Sequence, residues 1–289
     1  MRGTADRTAG GDGGSALLAF DPAEADRLRR RRSFWRPLRE TTRSVGALVV
    51  RETVTRFGQR KLGYFWAFFE PGAFILIFVL LRSLIGNDTP FGESIALFLM
   101  TGLVAARVAL SLFGRVGDAI KANRALLTYP TVQPLDTVLA RIIVELLTMA
   151  VIIIVFYLGL GIVMGGVPVQ DLVIFTQATI VTLYLGVSVG TLNASLGTIL
   201  PAWSSLFNVI RLPLFIASAI FFVPRLLAPE YQAVLQWNPI LHCVEWYRTA
   251  IYMDYLPLLD RSYPIAFGTV CLALGLWLER TFRLRISAA

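Results

Sequence analysis

Six apolar stretches divide most of the chain, each near the length of about 20 residues that a helix needs to cross the hydrocarbon core of a bilayer. They cover residues 64–85, 94–114, 139–164, 172–200, 207–223 and 263–280. The polar segments between them are short, apart from residues 115–138 and 224–261. This pattern predicts an all-α integral membrane protein with six transmembrane helices.

A polar segment before the first span has the periodicity of an amphipathic helix. Over residues 44–61, Glu52, Arg56 and Arg60 recur at four-residue intervals, while Val45 and Leu48 fall on another face. Such a helix lies in the membrane interface with its apolar face inward. We therefore predict an N-terminal interfacial helix on the cytoplasmic side.

The first long connector, residues 115–138, carries a stretch with helical character over 117–127. Pro130 and Pro134 follow it, and proline ends helices because it lacks a backbone N–H. Asp136 or Thr137 is then available as the N-cap of the third span. The pattern predicts a short helix bounded by prolines.

The second long connector, residues 224–261, is too polar to cross the membrane completely. Asn238 followed by Pro239 is a favourable helix start, with an N-cap side chain and a proline at the first helical position. Glu245 and Arg248 are three residues apart and are expected to pair on the helix surface. We predict short re-entrant or interfacial helices between spans five and six.

The distribution of charge in the connectors predicts the topology. Lysine and arginine precede the first span and follow the second and the sixth, whereas the alternate connectors carry Asp88, Glu93 and Asp171. Cytoplasmic loops are enriched in cations, so both termini are predicted to be cytoplasmic. Residues 1–42, with four consecutive arginines at 29–32, predict a disordered basic tail before a membrane domain over 43–289.

Composition excludes several classes of function. Hydrophobic residues make up 56% of the chain and charged residues 16%, against about 25% charged in soluble domains. The net charge of +8 comes from cations beside apolar spans, which argues against nucleic-acid binding. One histidine and two cysteines cannot supply a four-ligand zinc site.

Motifs for catalysis are also missing from the sequence. It contains no G-x-x-x-x-G-K-[ST] phosphate loop, so ATP hydrolysis is not expected of this chain. It also contains no H-E-x-x-H motif. The sequence therefore predicts no catalytic residues, no bound metal and no cofactor held by this chain.

The charged residues within or near apolar spans include Glu70, Arg107 and Glu145. Each costs roughly 2.5–3.5 kcal/mol on insertion scales, so a partner or a wet cavity is expected. Arg141 is four residues from Glu145 and offers a local partner. For Glu70 and Arg107, structural pairing and lining of a transport pathway both remain open.

Small residues indicate where helices pack closely. Gly186, Gly190 and Ala194 share one face of the fourth span, and Gly161 and Gly165 share a face at the end of the third. Such faces let helix backbones approach each other in a membrane.

Three stretches together resemble a known family. They are RETVTRFGQRKLGYFWAFFEP at 51–71, AIKANRALLTYPTVQPLDTVLAR at 119–141 and WNPILHCVEWYR at 237–248. Their order and spacing are similar to those of ABC-2 type (type V exporter-like) permeases that export polysaccharides. The resemblance is strongest to the membrane subunit of Gram-negative capsular-polysaccharide transporters, and it covers the chain from about residue 44 onward.

The resemblance implies roles for three sets of residues. A site for the anionic lipid carrier and for stacked sugars would comprise Arg51, Arg56, Arg60, Lys61, Tyr64, Phe65, Trp66, Phe69, Glu70 and Arg107. A coupling helix for the ATPase would comprise Lys121, Asn123, Arg124, Tyr129 and Pro130. An outer re-entrant region would comprise Asn238, Pro239, His242, Glu245 and Arg248.

The resemblance also implies partners and a location. A second permease copy would form a homodimer, two ATPase subunits would bind ATP and magnesium, and the assembly would sit in the bacterial inner membrane. A periplasmic co-polymerase-like protein and an outer-membrane translocon would receive the lipid-linked polysaccharide. Export of O-antigen, teichoic acid, lipid or drugs by the same architecture is an alternative. A membrane-embedded glycosyltransferase or acyltransferase is a further one.

Overall fold

The computed structural model describes residues 35–57, 69, 72–74, 76–81, 84, 89–128, 132–166 and 168–288, with the backbone alone for 35–41, 56, 57 and 283–288. The chain divides into two units, Met1–Thr42 and Arg43–Ala289. The predicted tail lies almost entirely outside the described residues. Every regular element among the described residues is helical.

The helices follow one another as α1 (Trp35–Phe57), α2 (Ile95–Gly117), α3 (Ala119–Ala122), α4 (Pro134–Met164), α5 (Leu172–Ile199), α6 (Trp203–Ile216), α7 (Pro229–Leu235), α8 (Pro239–Ile251) and α9 (Ser262–Ala288). Short 3-10 helices span Arg124–Leu126 and Pro224–Leu226. Residues 72–74 and 76–81, between α1 and α2, are also helical. Non-helical dihedral angles at Phe282 kink α9 near its C-terminal end.

Four helices are long and apolar enough to cross a membrane: α2, α4, α5 and the Ser262–Phe282 part of α9. They agree with predicted spans two, three, four and six, although α4 begins at Pro134, five residues before the predicted boundary at 139. Half of the first predicted span lies outside the described residues, and the fifth forms the 14-residue helix α6. The count of six spans therefore stays a prediction.

The predicted bounds of the fifth span, 207–223, are wrong. Helix α6 begins at Trp203 and ends at Ile216, three residues after an internal proline, Pro213. Residues 217–223 leave the helix, and Ala219 adopts a positive φ of 61°. The run is apolar enough to suggest a continuing span, but its backbone carbonyls bond elsewhere, as described below.

Side-chain caps fix where several helices start. Asp171 accepts hydrogen bonds from Val173 N at 2.8 Å and Ile174 N at 2.9 Å, which starts α5. The predicted N-cap of α4 at Asp136 or Thr137 is wrong, because the N-cap is Gln133. Asp136 lies three residues later and accepts from the backbone N–H of Gln133 at 3.1 Å, in a capping box. Asn238 accepts from Ile240 N at 3.0 Å, as predicted for the start of α8.

Helix α2 is the centre of the bundle, packed by α5, α8 and α4, and its Phe98, Leu103 and Leu112 are almost completely buried. The small face of α5 permits this contact: a Cβ on Gly190 would lie 2.7 Å from the carbonyl oxygen of Leu112. Close packing at Gly186 and Gly190 is thus confirmed.

At the end of α4 the corresponding prediction is wrong for Gly165. Nothing lies within 4 Å of the position that its Cβ would take. Instead Gly165 adopts φ of 75° and ends the helix, with its N–H bonded to the carbonyl oxygen of Gly161.

Candidate functional site

Helix α1 is held against the connector between α2 and α4 by polar and apolar contacts. Arg51 Nη1 donates to Asn123 Oδ1 at 3.0 Å, and Glu52 forms an ion pair of 2.5 Å with Arg141. Val45 and Leu48 pack on Ala140. The apolar face predicted for this helix is thus buried against protein, at the end of the bundle where α2 ends and α4 begins.

Residues 117–127, which are predicted to form the short helix that contacts the ATPase, are called the coupling segment below. The segment is helical, as predicted, but it breaks into α3 and a 3-10 turn at Arg124–Leu126. Asn123 is buried at the break, where its side-chain amide donates to Ala119 O at 3.0 Å. Lys121 and Arg124 are exposed, and they line a cavity of about 290 Å³ together with Gly197, Thr198 and Pro201. Lys121 also bonds to Ser204 at the start of α6.

Two arginines share a second cavity of about 250 Å³, which we call the arginine cavity. Its wall is formed by Phe74, Arg107, Leu110, Ser111, Asn208, Arg211, Leu212 and Phe215. Arg107 comes from the middle of α2 and Arg211 from α6, and an added Cβ on Gly114 of α2 would lie 3.8 Å from Arg211 Nη1. Among the described residues no carboxylate pairs with Arg211.

The arginine cavity brings two positive charges together between apolar walls, with the hydroxyl of Ser111 and the amide of Asn208 beside them. Guanidinium groups bind phosphates and carboxylates through paired hydrogen bonds, and such bonds strengthen where water is excluded. The arrangement suits an anionic ligand at membrane depth. Arg107 was singled out from the sequence, whereas Arg211 was missed, although Asn208 three residues earlier marks the same polar face of α6.

Glu145 does not pair with Arg141, so the predicted local ion pair is wrong. Its buried carboxylate accepts from Arg115 at 3.3 Å, and Arg115 lies in the last turn of α2. Arg141 turns to Glu52 instead. Arg115 and Arg141 thus each pair with a carboxylate of a neighbouring helix. The two ion pairs connect α4 to α2 and to α1.

The predicted Glu245–Arg248 pair is confirmed at 3.1 Å, but it is not on the surface. Both side chains are completely buried, and the Arg248 guanidinium lies 4.0 Å above the ring of Phe98. Glu245 also accepts from the Tyr255 hydroxyl at 2.6 Å and from Leu258 N at 2.9 Å. The pair therefore joins α8 to the segment that follows it.

Arg248 also satisfies the turn at 217–223 that ends α6. Its Nη2 donates to Ala219 O at 2.6 Å and to Ile220 O at 3.3 Å, and its Nη1 donates to Phe222 O at 3.2 Å. These bonds replace the helical bonds that the turn forgoes, so the non-helical backbone is stabilised inside the protein. Ala219 is held in its left-handed conformation by this contact.

The N-terminal part of α8 is equally well bonded. Asn238 donates to Leu214 O at 3.0 Å and to the Ser218 hydroxyl at 3.1 Å. His242 is 2% exposed, and both its ring nitrogens bond to backbone groups. The predicted outer region thus forms one hydrogen-bonded unit with the end of α6.

The remaining predicted site residues fall into two groups, described and undescribed. Phe69 is helical and exposed. The following lie outside the described residues or have undescribed side chains: Arg56, Arg60, Lys61, Tyr64, Phe65, Trp66, Glu70, Tyr129 and Pro130. Among the described residues, no cluster of three or more His, Cys, Asp or Glu side chains could hold a metal ion.

The sequence of the chain is similar to those of several known transport proteins. Its relatives include the polysialic acid transport protein KpsM of Escherichia coli, 32% identical over 82% of this chain and 93% of the relative. The capsule polysaccharide export inner-membrane protein CtrC of Neisseria meningitidis serogroup B is 26% identical over 86% of this chain and 95% of its own length. BexB of Haemophilus influenzae, which has the same description, is 24% identical over 83% of this chain and 91% of its own.

The ABC-2 type transporter family model matches residues 43–252, from α1 through α8. The matched region includes the coupling segment, the arginine cavity and the buried Glu245–Arg248 pair. The resemblance found in the three sequence stretches is confirmed. The chain therefore belongs to the ABC-2 type transporter family, as a membrane permease and not as an enzyme.

Proposed function

We propose that this chain is the permease of an ABC exporter that carries a lipid-linked capsular polysaccharide across the bacterial inner membrane. The arginine cavity carries the proposal, because Arg107 and Arg211 both line it between apolar walls. Lipid-linked polymers present such an anion as the phosphate of the carrier or as an acidic sugar. The relatives are named for transport of polysialic acid and of capsule polysaccharide, which supports this substrate class.

The energy for transport comes from a separate chain in this proposal. Two permeases form a homodimer, and two ATPase subunits bind ATP and magnesium. Each ATPase docks against the exposed cations Lys121 and Arg124, which border the cavity beside α3. Both termini face the cytoplasm, where the tail cations and the end of α9 meet anionic lipid.

Further partners receive the polymer on the other side. A periplasmic co-polymerase-like protein and an outer-membrane translocon extend the route beyond the inner membrane. Membrane lipids surround the exposed apolar faces of α4 and α9, where Leu147, Ile154 and Val270 are among the exposed side chains.

Deletion of the gene and complementation with variants tests the proposal. We expect the deletion to remove surface capsule and to leave polymer inside the cell. The double variant Arg107→Gln/Arg211→Gln should lower surface capsule at least tenfold, since each lost charge-assisted hydrogen bond is worth about 1.5–3 kcal/mol. Arg261→Gln, an exposed arginine outside the cavity, is the matched control and should export normally.

Other outcomes would overturn the proposal. Loss of O-antigen or teichoic acid with intact capsule would assign the chain to the related exporters of those polymers. Loss of drug or lipid efflux alone would assign it to small-molecule export. Polymer transfer by the purified chain without any ATPase would instead indicate a glycosyltransferase.

A further inference from the structure

A cavity of about 450 Å³ lies where the segment after α8 meets the start of α9. It is separate from the arginine cavity, and of its wall residues only His242 belonged to the outer re-entrant region predicted from the sequence. We call it the Trp237 cavity, and its polar and aromatic wall consists of Arg225, Gln236, Trp237, His242, Asp260 and Tyr263. Its volume is within the range of about 300–1,000 Å³ found for small-molecule sites.

Hydrogen bonds between its walls keep this cavity open. The N–H of Asp260 donates to His242 Nδ1 at 3.1 Å, so the ring hydrogen is on Nε2, which donates to Gln236 O at 2.9 Å. The Tyr263 hydroxyl donates to Trp237 O at 2.8 Å. Residues 236 and 237 on one side of the cavity and residues 260 and 263 on the other are thus held in place by these hydrogen bonds. The cavity forms without a ligand.

The depth of the cavity follows from the packing of two helices. Gly268 of α9 contacts Tyr184 of α5, and Gly275 contacts Leu192, so the two helices run parallel. Ser262 at the start of α9 is therefore level with about residue 178, six residues into α5. At 1.5 Å per residue the cavity is recessed by roughly 9 Å from the start of α5.

The side chains that face this space have mixed chemistry. Trp237 is 76% exposed although its backbone is anchored, so a large aromatic face is available. Ser262 donates to Asp260 through its hydroxyl and its backbone N–H, and these bonds lower the pKa of that carboxyl. The exposed Arg225 adds a guanidinium, and Gln236 adds an amide.

From this combination we propose that the Trp237 cavity binds a pyranose unit of an oligosaccharide. A sugar ring presents an apolar C–H face that stacks on an indole, and its neighbouring hydroxyls both donate and accept hydrogen bonds. Asp260 accepts from such hydroxyls, and Arg225 and Gln236 donate to them. A phosphate is disfavoured because the Asp260 carboxylate would repel it. The site thus holds the polymer near its exit, a role that rests on the proposed function.

Binding to the purified full-length chain in lipid nanodiscs tests the site directly. The probes are defined neutral and acidic di- and tetrasaccharides at millimolar concentration, with binding followed by calorimetry and saturation-transfer NMR. We expect saturable binding that Trp237→Ala and Asp260→Asn each weaken at least tenfold. Trp277→Ala removes an exposed tryptophan of α9 outside the cavity and should leave binding unchanged.

The outcomes separate this site from the exporter function. Saturable binding that is lost in Trp237→Ala supports the site, even if gene deletion leaves surface capsule intact and the export proposal fails. No saturable binding of any probe overturns the site, and so does binding that Trp237→Ala and Trp277→Ala affect equally. Trp237 would then serve only as an interfacial anchor, and the export proposal would stand on its own test.

Discussion

Arg51 Nη1 of α1 donates a hydrogen bond of 3.0 Å to Oδ1 of Asn123, at the junction of α3 and the following 3-10 turn. The bond joins α1, which is predicted to lie at the membrane interface, to the coupling segment, which is predicted to bind the ATPase. Both polar groups of the Asn123 side chain are hydrogen-bonded, since its Oδ1 accepts from Arg51 and its Nδ2 donates to Ala119 O. We therefore expect a movement of the coupling segment to be transmitted to α1.

Arg51→Ala should weaken this link while leaving the fold intact. Since Arg51 is exposed, we expect a loss of about 1 kcal/mol, which corresponds to roughly a fivefold drop in substrate-stimulated ATPase activity of the assembled transporter. Arg43→Ala, an exposed arginine on the same helix, is the control. Equal effects of the two substitutions would show that general charge, and not the bond to Asn123, matters.

Arg124→Glu should detach the ATPase without unfolding the permease. The side chain is exposed beside the cavity at α3, so charge reversal changes docking and little else. Co-purification of the ATPase with the permease measures the effect, and we expect it to fall at least tenfold. Retention of the ATPase at the wild-type level would place the docking surface elsewhere.

Arg248→Met should lower the stability of the permease by about 3–5 kcal/mol, because it leaves the fully buried Glu245 carboxylate without its ion pair. Arg248→Lys should be nearly as harmful, since one ammonium cannot replace the planar fork that reaches Glu245 and three backbone carbonyls. Thermal unfolding in detergent measures both changes, with Arg261→Met as an exposed control. Wild-type stability of Arg248→Lys would contradict the need for the fork.

Gly190→Ala should destabilise the contact of α5 with α2 by about 1–3 kcal/mol, because the new methyl group would lie 2.7 Å from Leu112 O. Gly159→Ala in α4 is the matched control, since nothing lies within 4 Å of its added Cβ. That variant should be neutral or more stable by about 0.5–1 kcal/mol. Equal unfolding temperatures for the two variants would contradict the close contact.

Much of the fold could be predicted because local rules decide it. The apolar runs around α2, α4, α5 and α9 identify helices, and Asn238 marks the start of α8 by its capping chemistry. The end of α6 could not be predicted, because the turn at 217–223 is itself apolar. Its geometry depends on Arg248, whose guanidinium arrives from another helix.

The sites were predictable only in part for the same reason. Arg107 stands out as a charge inside a span, and Arg211 carries the same signal inside the predicted fifth span. That the two line one cavity is recognised only after α2 and α6 are packed together. Arg141 and Glu145 have the spacing of an ion pair along one helix, yet each finds a partner on a neighbouring helix. Trp237 and Asp260 are 23 residues apart in the sequence, and that they line one cavity is seen only in the folded chain.

The contact between Arg248 and the turn at 217–223 also bears on how the chain is made. Arg248 lies 26 residues after Phe222, whose carbonyl it satisfies. A growing chain that has been synthesised only through α6 holds carbonyl groups in a non-polar environment with no donor for them. The end of α6 therefore reaches its hydrogen-bonded form only when α8 is present. We expect the segment from α6 to α8 to fold as one unit.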